Sequence, residues 1–169
     1  MASTYKKGNA VIDSITYLIV ILVFAIAGVL AYKIVTDANV EIQADPDMSQ
    51  DAKETTADVV ERFPIIFDSA FVFVVVLMWA LVIVASFNID AHPIFLAFTL
   101  ILMTFVLFIG GIFANFFEEF IEDEELTAAA DDFPKTKWIM NHLLHLILAV
   151  ATTIMIALFG KNRISESAI

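Results

Sequence analysis

Long apolar runs alternate with short acidic stretches along this chain, and the alternation sets its architecture. The first run covers Ala10 to Val35, interrupted by Asp13 and Ser14 near its start and by Lys33 near its end. Two more lie between Ile65 and Phe117, on either side of Asn88-Ile89-Asp90-Ala91-His92-Pro93. The earlier of these carries one charge, Asp68, and the later carries none. A fourth extends from Lys137 to Phe159. A helix needs ~20 apolar residues to cross a bilayer core about 30 Å thick, and each run is long enough. The pattern predicts an all-α integral membrane protein with one domain spanning 1–169, folded as an antiparallel bundle of four transmembrane helices. The helices are expected over about 10–35, 65–89, 93–125 and 137–160, with acidic connections at 36–63 and 118–136.

Punctuation between the runs refines this picture. Asp45-Pro46-Asp47 signals a turn, and a short helix is expected from Ser49 or Asp51 with Val59 and Val60 on its apolar side. Pro64 suits the first turn of the second membrane helix, where a missing N–H costs nothing. Asp90 can cap the third helix, with Pro93 in its first turn. The connection between helices two and three is so short that the two are expected to be antiparallel neighbours. Past the bilayer, Phe113, Phe116, Phe117, Phe120 and Ile121 alternate with Asn115, Glu118, Glu119 and Glu122 at helical spacing. Helix three is therefore expected to emerge with an amphipathic end at the interface. Phe133-Pro134 marks the turn before helix four, Trp138 is its interfacial anchor, and Gly160 is its natural stop. Gly28, Gly110 and Gly111 are candidates for close helix approach, including approach between copies in a larger oligomer.

Composition narrows the class further. Of 169 residues, 60% are hydrophobic and mean hydropathy is +0.87, more apolar surface than a soluble chain of this length can hide. The net charge of −11 opposes nucleic-acid binding, and no basic cluster exceeds the pair Lys6-Lys7, which opposes a polybasic lipid patch. Without cysteine there is no disulfide framework, thiolate metal site or cysteine nucleophile. Lys6-Lys7 followed by an apolar stretch and Ala25-Ile26-Ala27 has the outline of a signal peptide, but the run continues through Ala31, too long for a signal core. An uncleaved first helix is expected. Lys6 and Lys7 flank it with no acidic residue before them, which places both termini in the cytoplasm and the acidic connections outside.

Few residues offer chemistry. Asp13 and Asp68 each lie about one turn inside a membrane helix, where a carboxylate is favoured by the helix dipole and reads first as a solvated or capping group. Asn141, His142 and His145 fall on one face of helix four, at a depth similar to the Glu118, Glu119 and Glu122 end of helix three. Glu118, Glu122, His142 and His145 are thus candidate metal ligands or proton relays, set against the plainer reading of Asn and His as interhelical polar glue. No phosphate-binding loop, nucleophile elbow or dinucleotide fingerprint is present, so neither an enzyme nor a cofactor is expected.

The hinge Phe87-Asn88-Ile89-Asp90-Ala91-His92-Pro93-Ile94-Phe95, the preceding Phe67-Asp68 and the later Ala114-Asn115-Phe116-Phe117-Glu118-Glu119-Phe120 resemble small multi-span membrane proteins encoded by marine and environmental bacteriophages. The resemblance implies a viral membrane or host-envelope component, with the termini interior if the membrane is that of a virion; it brings no catalytic residues. Three functions are compatible with the chain. The first is a structural or assembly protein that oligomerises in the bilayer with itself or other membrane proteins. The second is a pore-forming, holin-like protein, which would call for a polar stripe along a whole helix. The third is a proton- or metal-handling subunit using the Glu/His cluster.

Overall fold

The protein is described by a computed structural model covering residues 10–87 and 93–166, with side chains placed over 15–84, 86 and 100–157. Among the described residues the fold is entirely helical. α1 spans Ala10–Ala44, α2 Gln50–Phe87, α3 Pro93–Ile121, α4 Thr127–Asp131, α5 Pro134–Asn141 and α6 Leu143–Glu166. The expected turn at Asn88-Ile89-Asp90-Ala91-His92, the Lys6-Lys7 flank and the side chain of Asp13 lie outside the described residues.

The first two helices are longer than the apolar runs that nucleate them. At 1.5 Å per residue, α1 with 35 residues and α2 with 38 extend about 52 and 57 Å, well beyond a bilayer core of roughly 30 Å. The expected connection at 36–63 is therefore a helical hairpin. No Gly or Pro interrupts 29–45 or 47–63, and i,i+4 pairs support both helices: Lys33 with Asp37 at 2.6 Å and Arg62 with Asp58 at 2.6 Å. The turn at 45–49 is the one anticipated. Asp45 Oδ1 accepts the Asp47 N–H at 2.8 Å, and Ser49 Oγ accepts the Ala52 N–H at 3.3 Å as the cap of α2. Gln43 and Lys53 exchange side-chain-to-carbonyl bonds across the tip at 2.8 and 3.1 Å. The separate short helix expected from Ser49 is continuous with membrane helix two, so Pro64 lies inside α2 and not in its first turn. Pro64 is buried, and packing against α1 offsets the hydrogen bond its ring removes.

Pairing between α1 and α2 keeps one register. Gln43 meets Lys53, Tyr32 stacks on Phe63, and Phe24 stacks on Phe67 and Phe71, so partner numbers fall on one helix as they rise on the other. α1 supplies the spine of the core, with Leu18, Ile21, Leu22, Ala25, Val29 and Tyr32 buried at helical spacing. α2 and α3 each pack closely on α1 and on α6. They make few close backbone approaches to each other among the described residues, so the expectation that consecutive helices two and three are neighbours does not hold. α1 and α6 each pack on both, and a glycine on α1 and one on α3 mark two of these contacts. A β-carbon on Gly28 would collide with the Phe67 ring, and one on Gly110 with the Ile147 Cδ1 methyl. Gly111 has only ordinary contact with Leu144 at 3.8 Å.

Outward faces are apolar along every long helix: Val23, Phe73, Leu81, Phe105, Phe108 and Ile156 are all more than half exposed. α3 ends at Ile121, four residues before the expected boundary at 125, because Asp123 accepts the Leu126 and Thr127 N–H groups on its carbonyl and the Glu125 N–H on its side chain. Its end has the anticipated amphipathic character, with Phe117 and Ile121 buried while Glu118, Glu119 and Glu122 are exposed. The expected single helix over 137–160 is two helices. α5 starts at Pro134, meets α6 at His142 with a bend of 67°, and α6 continues through Gly160 to Glu166.

Candidate functional site

Among the described residues Asp68 is the one buried carboxylate, 3% exposed within an apolar stretch of α2. Its partners come from a helix far along the chain. Oδ2 accepts the Lys135 N–H at 2.9 Å, while Oδ1 accepts the Thr136 N–H at 2.7 Å and the Thr136 hydroxyl at 2.7 Å. α5 needs such an acceptor. Its cap position is Phe133, which has no side-chain oxygen, and Pro134 has no N–H to offer. The unpaired donors at the start of α5 are therefore those of Lys135 and Thr136, the positions a capping side chain normally serves. Asp68 serves both from outside the helix, where the positive end of the helix dipole also favours its charge. Lys135 Nζ extends the clasp by donating to Ser69 Oγ at 3.2 Å.

Beside this carboxylate lies an aromatic enclosure. Phe133 is fully buried, edge-on to Tyr32, Phe63 and Phe67 at centroid separations of 5.4, 6.4 and 5.5 Å. Phe63 and Phe67 stack at 5.9 Å, so the α1–α2 pair presents a slot of ring faces into which the Phe133 edge fits. Polar clasp and aromatic plug together hold the α4–α5 segment against the two long helices.

The sequence-derived candidates are arranged differently from the expected cluster. His142 sits at the bend, its ring stacked on Trp138 at 4.5 Å and its Nδ1 2.8 Å from the Trp138 carbonyl. A carbonyl only accepts, so Nδ1 carries the hydrogen. His145 lies 5.9 Å from the His142 ring and is exposed, as are Asn141, Glu118 and Glu122. Among the described residues no group of three or more His, Asp or Glu side chains is placed to hold a metal ion, so Glu118, Glu122, His142 and His145 are not gathered into one. Trp138 is exposed, as an interfacial anchor would be.

Chemically, Asp68 accepts three hydrogen bonds and is closed to solvent, which makes it a structural acceptor and not a base waiting for a substrate. The pairing had a partial signal in the sequence. A helix opening on Phe-Pro without a capping residue must find its acceptor elsewhere, and Asp68 is the one carboxylate in the apolar run that could supply it.

Fold and site together define a class: among the described residues, an all-helical protein with three helices long and apolar enough to cross a membrane, or four if the bent α5–α6 pair is one span. Those helices are consistent with a multi-pass membrane protein. In comparisons with known proteins, no family model matches the chain, and no match is found among curated proteins or solved structures.

Proposed function

We propose that the protein is a structural or assembly subunit of a membrane complex: an antiparallel bundle of four membrane helices that holds an acidic helical hairpin clear of the bilayer for partner proteins. The observation that carries this is the use of Asp68. A charged group buried in an apolar helix is by default a candidate for transport or catalysis, but here it is engaged in joining α2 to α5. The outward faces of the described helices are apolar, which favours this reading over a pore. Beyond the bilayer, Asp37, Glu41, Asp51, Glu54, Asp58 and Glu61 sit on the continuous helices of the hairpin, all but Lys33, Lys53 and Arg62 of the charges there being negative. Resemblance to phage membrane proteins extends the reading to a viral or host-envelope assembly.

Chemical cross-linking in native membranes tests it. The intact chain is expected in a complex of defined mass, homomeric or mixed, that is lost when those six carboxylates are changed to Asn or Gln. A chain that stays monomeric under cross-linking would overturn the proposal. Purified protein in sealed liposomes is expected to retain an entrapped dye, whereas release would favour a pore. Cross-linked complexes should persist in a His142→Ala, His145→Ala double variant; their loss would favour the metal or proton reading.

A further inference from the structure

Sharp helix bends have local causes, usually Pro, Gly or an inserted residue. The 67° bend between α5 and α6 has none of these: Lys137-Trp138-Ile139-Met140-Asn141-His142-Leu143-Leu144-His145 contains neither Gly nor Pro. The helical ladder is interrupted there: the His142 N–H reaches the Trp138 and Ile139 carbonyls at 3.1 and 3.2 Å and closes α5, and the Leu146 N–H on the His142 carbonyl at 3.0 Å opens α6. His142 absorbs the change in direction at φ −107° and ψ 16°, close to the bridge region and outside the helical one. The sequence on its own specifies a straight helix through this point.

The force that bends it is tertiary and is concentrated at the far end of α5. Asp68 binds the first two free N–H groups, and Phe133 is plugged into the Tyr32–Phe63–Phe67 slot. Between the turn at 122–126 and the bend at His142, α4 and α5 form a strap with a hinge at each end and the Asp68 clasp between them. α5 packs on both α2 and α3, the two long helices that barely approach each other, so the strap closes the bundle at the end that carries the acidic hairpin.

We propose that the α5–α6 pair is a two-state element: bent and strapped while Asp68 holds the start of α5, straight and detached when that clasp is broken. Two conformations of one segment require a cheap local difference and a distant lock that decides between them. The single-residue bend at His142 is the first and the Asp68 clasp is the second. Unlocking frees Phe133 from its slot and gives α5 back to α6 as one continuous helix, uncovering the outer ends of α2 and α3 without taking the bundle apart.

The chain has no cysteine, so single reporters can be placed on an otherwise silent background. Ala130, 1% exposed in α4, reports on the strap, and Ala25, fully buried in α1, reports on the bundle. In the full-length protein reconstituted in vesicles, the Ala130→Cys thiol should react slowly with a soluble maleimide. With Asp68→Ala its rate should rise at least about tenfold, since the buried Thr136 N–H and the partly buried Lys135 N–H lose their acceptor, while Ala25→Cys stays protected. Thr136→Val, which removes one of the three bonds, should give a smaller rise in the same direction. Spin labels at Lys137→Cys and Ile156→Cys should move apart in Asp68→Ala as the bend opens. Equal protection of Ala130→Cys with and without Asp68 would overturn the proposal. So would joint exposure of Ala25→Cys and Ala130→Cys in every clasp variant, because the clasp would then belong to the global fold, or an unchanged label distance.

Discussion

At the scale of single residues, the fold turns on where side chains are missing as much as on where they are present. Three glycines read alike in the sequence, yet their surroundings separate them. Gly28 faces the rigid edge of the Phe67 ring, which is itself stacked on Phe24 and Phe63 and cannot withdraw. Gly28→Ala should therefore lower stability by about 1–3 kcal/mol, the usual cost of overpacking. Gly110 faces the end of the flexible Ile147 side chain, so Gly110→Ala should cost less. Gly111→Ala meets only ordinary contact and should be neutral, or stabilising by up to about 1 kcal/mol through helix propensity. Unfolding of the three variants from detergent micelles by increasing SDS should give that order; a Gly111→Ala loss as large as that of Gly28→Ala would contradict the packing described.

At the scale of elements, helix ends are where sequence and tertiary structure divide the work. Ser49 caps α2 from its own sequence, and Ser49→Ala should cost about 1 kcal/mol, felt as faster amide hydrogen exchange at residues 50–53 with the membrane portion of α2 unaffected. The start of α5 has no local cap and depends on Asp68. This difference explains what was legible in advance. The apolar runs, the Asp45-Pro46-Asp47 turn, a helix start near Ser49 and the amphipathic end of α3 follow from local pattern, and the structure contains all of them. The unbroken course of α1 and α2 through the acidic stretch was not legible, because Pro64 and the density of charge look like a boundary until packing against α1 is known. The bend at His142 was invisible for the opposite reason: its cause lies 67 residues from Lys135 along the chain, in Asp68. The Glu118, Glu122, His142 and His145 grouping rested on shared depth, which helical periodicity gives, and not on shared azimuth, which only packing decides.

For the molecule as a whole, charge and hydropathy are segregated along one axis. The hairpin tip at Met48 and the acidic turn at Glu124 belong to the same end of the bundle, since α4 packs against α1 and α5 packs against α2. Single cysteines at Met48 and Glu124, both exposed, should react with an impermeant maleimide from the same side of sealed vesicles. Reaction of one from outside and the other only after permeabilisation would rule out the assigned arrangement of spans. The ring of neighbours α1, α2, α6 and α3 also implies that α6 holds the assembly closed, touching the two helices that do not hold each other.

On the proposed membrane placement, the uninterrupted course of α1 and α2 from bilayer to tip has a mechanical consequence. A flexible loop would lose any motion of the membrane helices within a few residues, but a paired helical shaft transmits it. The shaft stands roughly 20 Å above the apolar band, so a change of about 10° in helix tilt carries its tip sideways by about 4 Å. Tilt is the ordinary response of a long apolar helix to a thinner bilayer. On that placement the acidic tip is a pointer, and its lateral position would shift with the thickness of the bilayer.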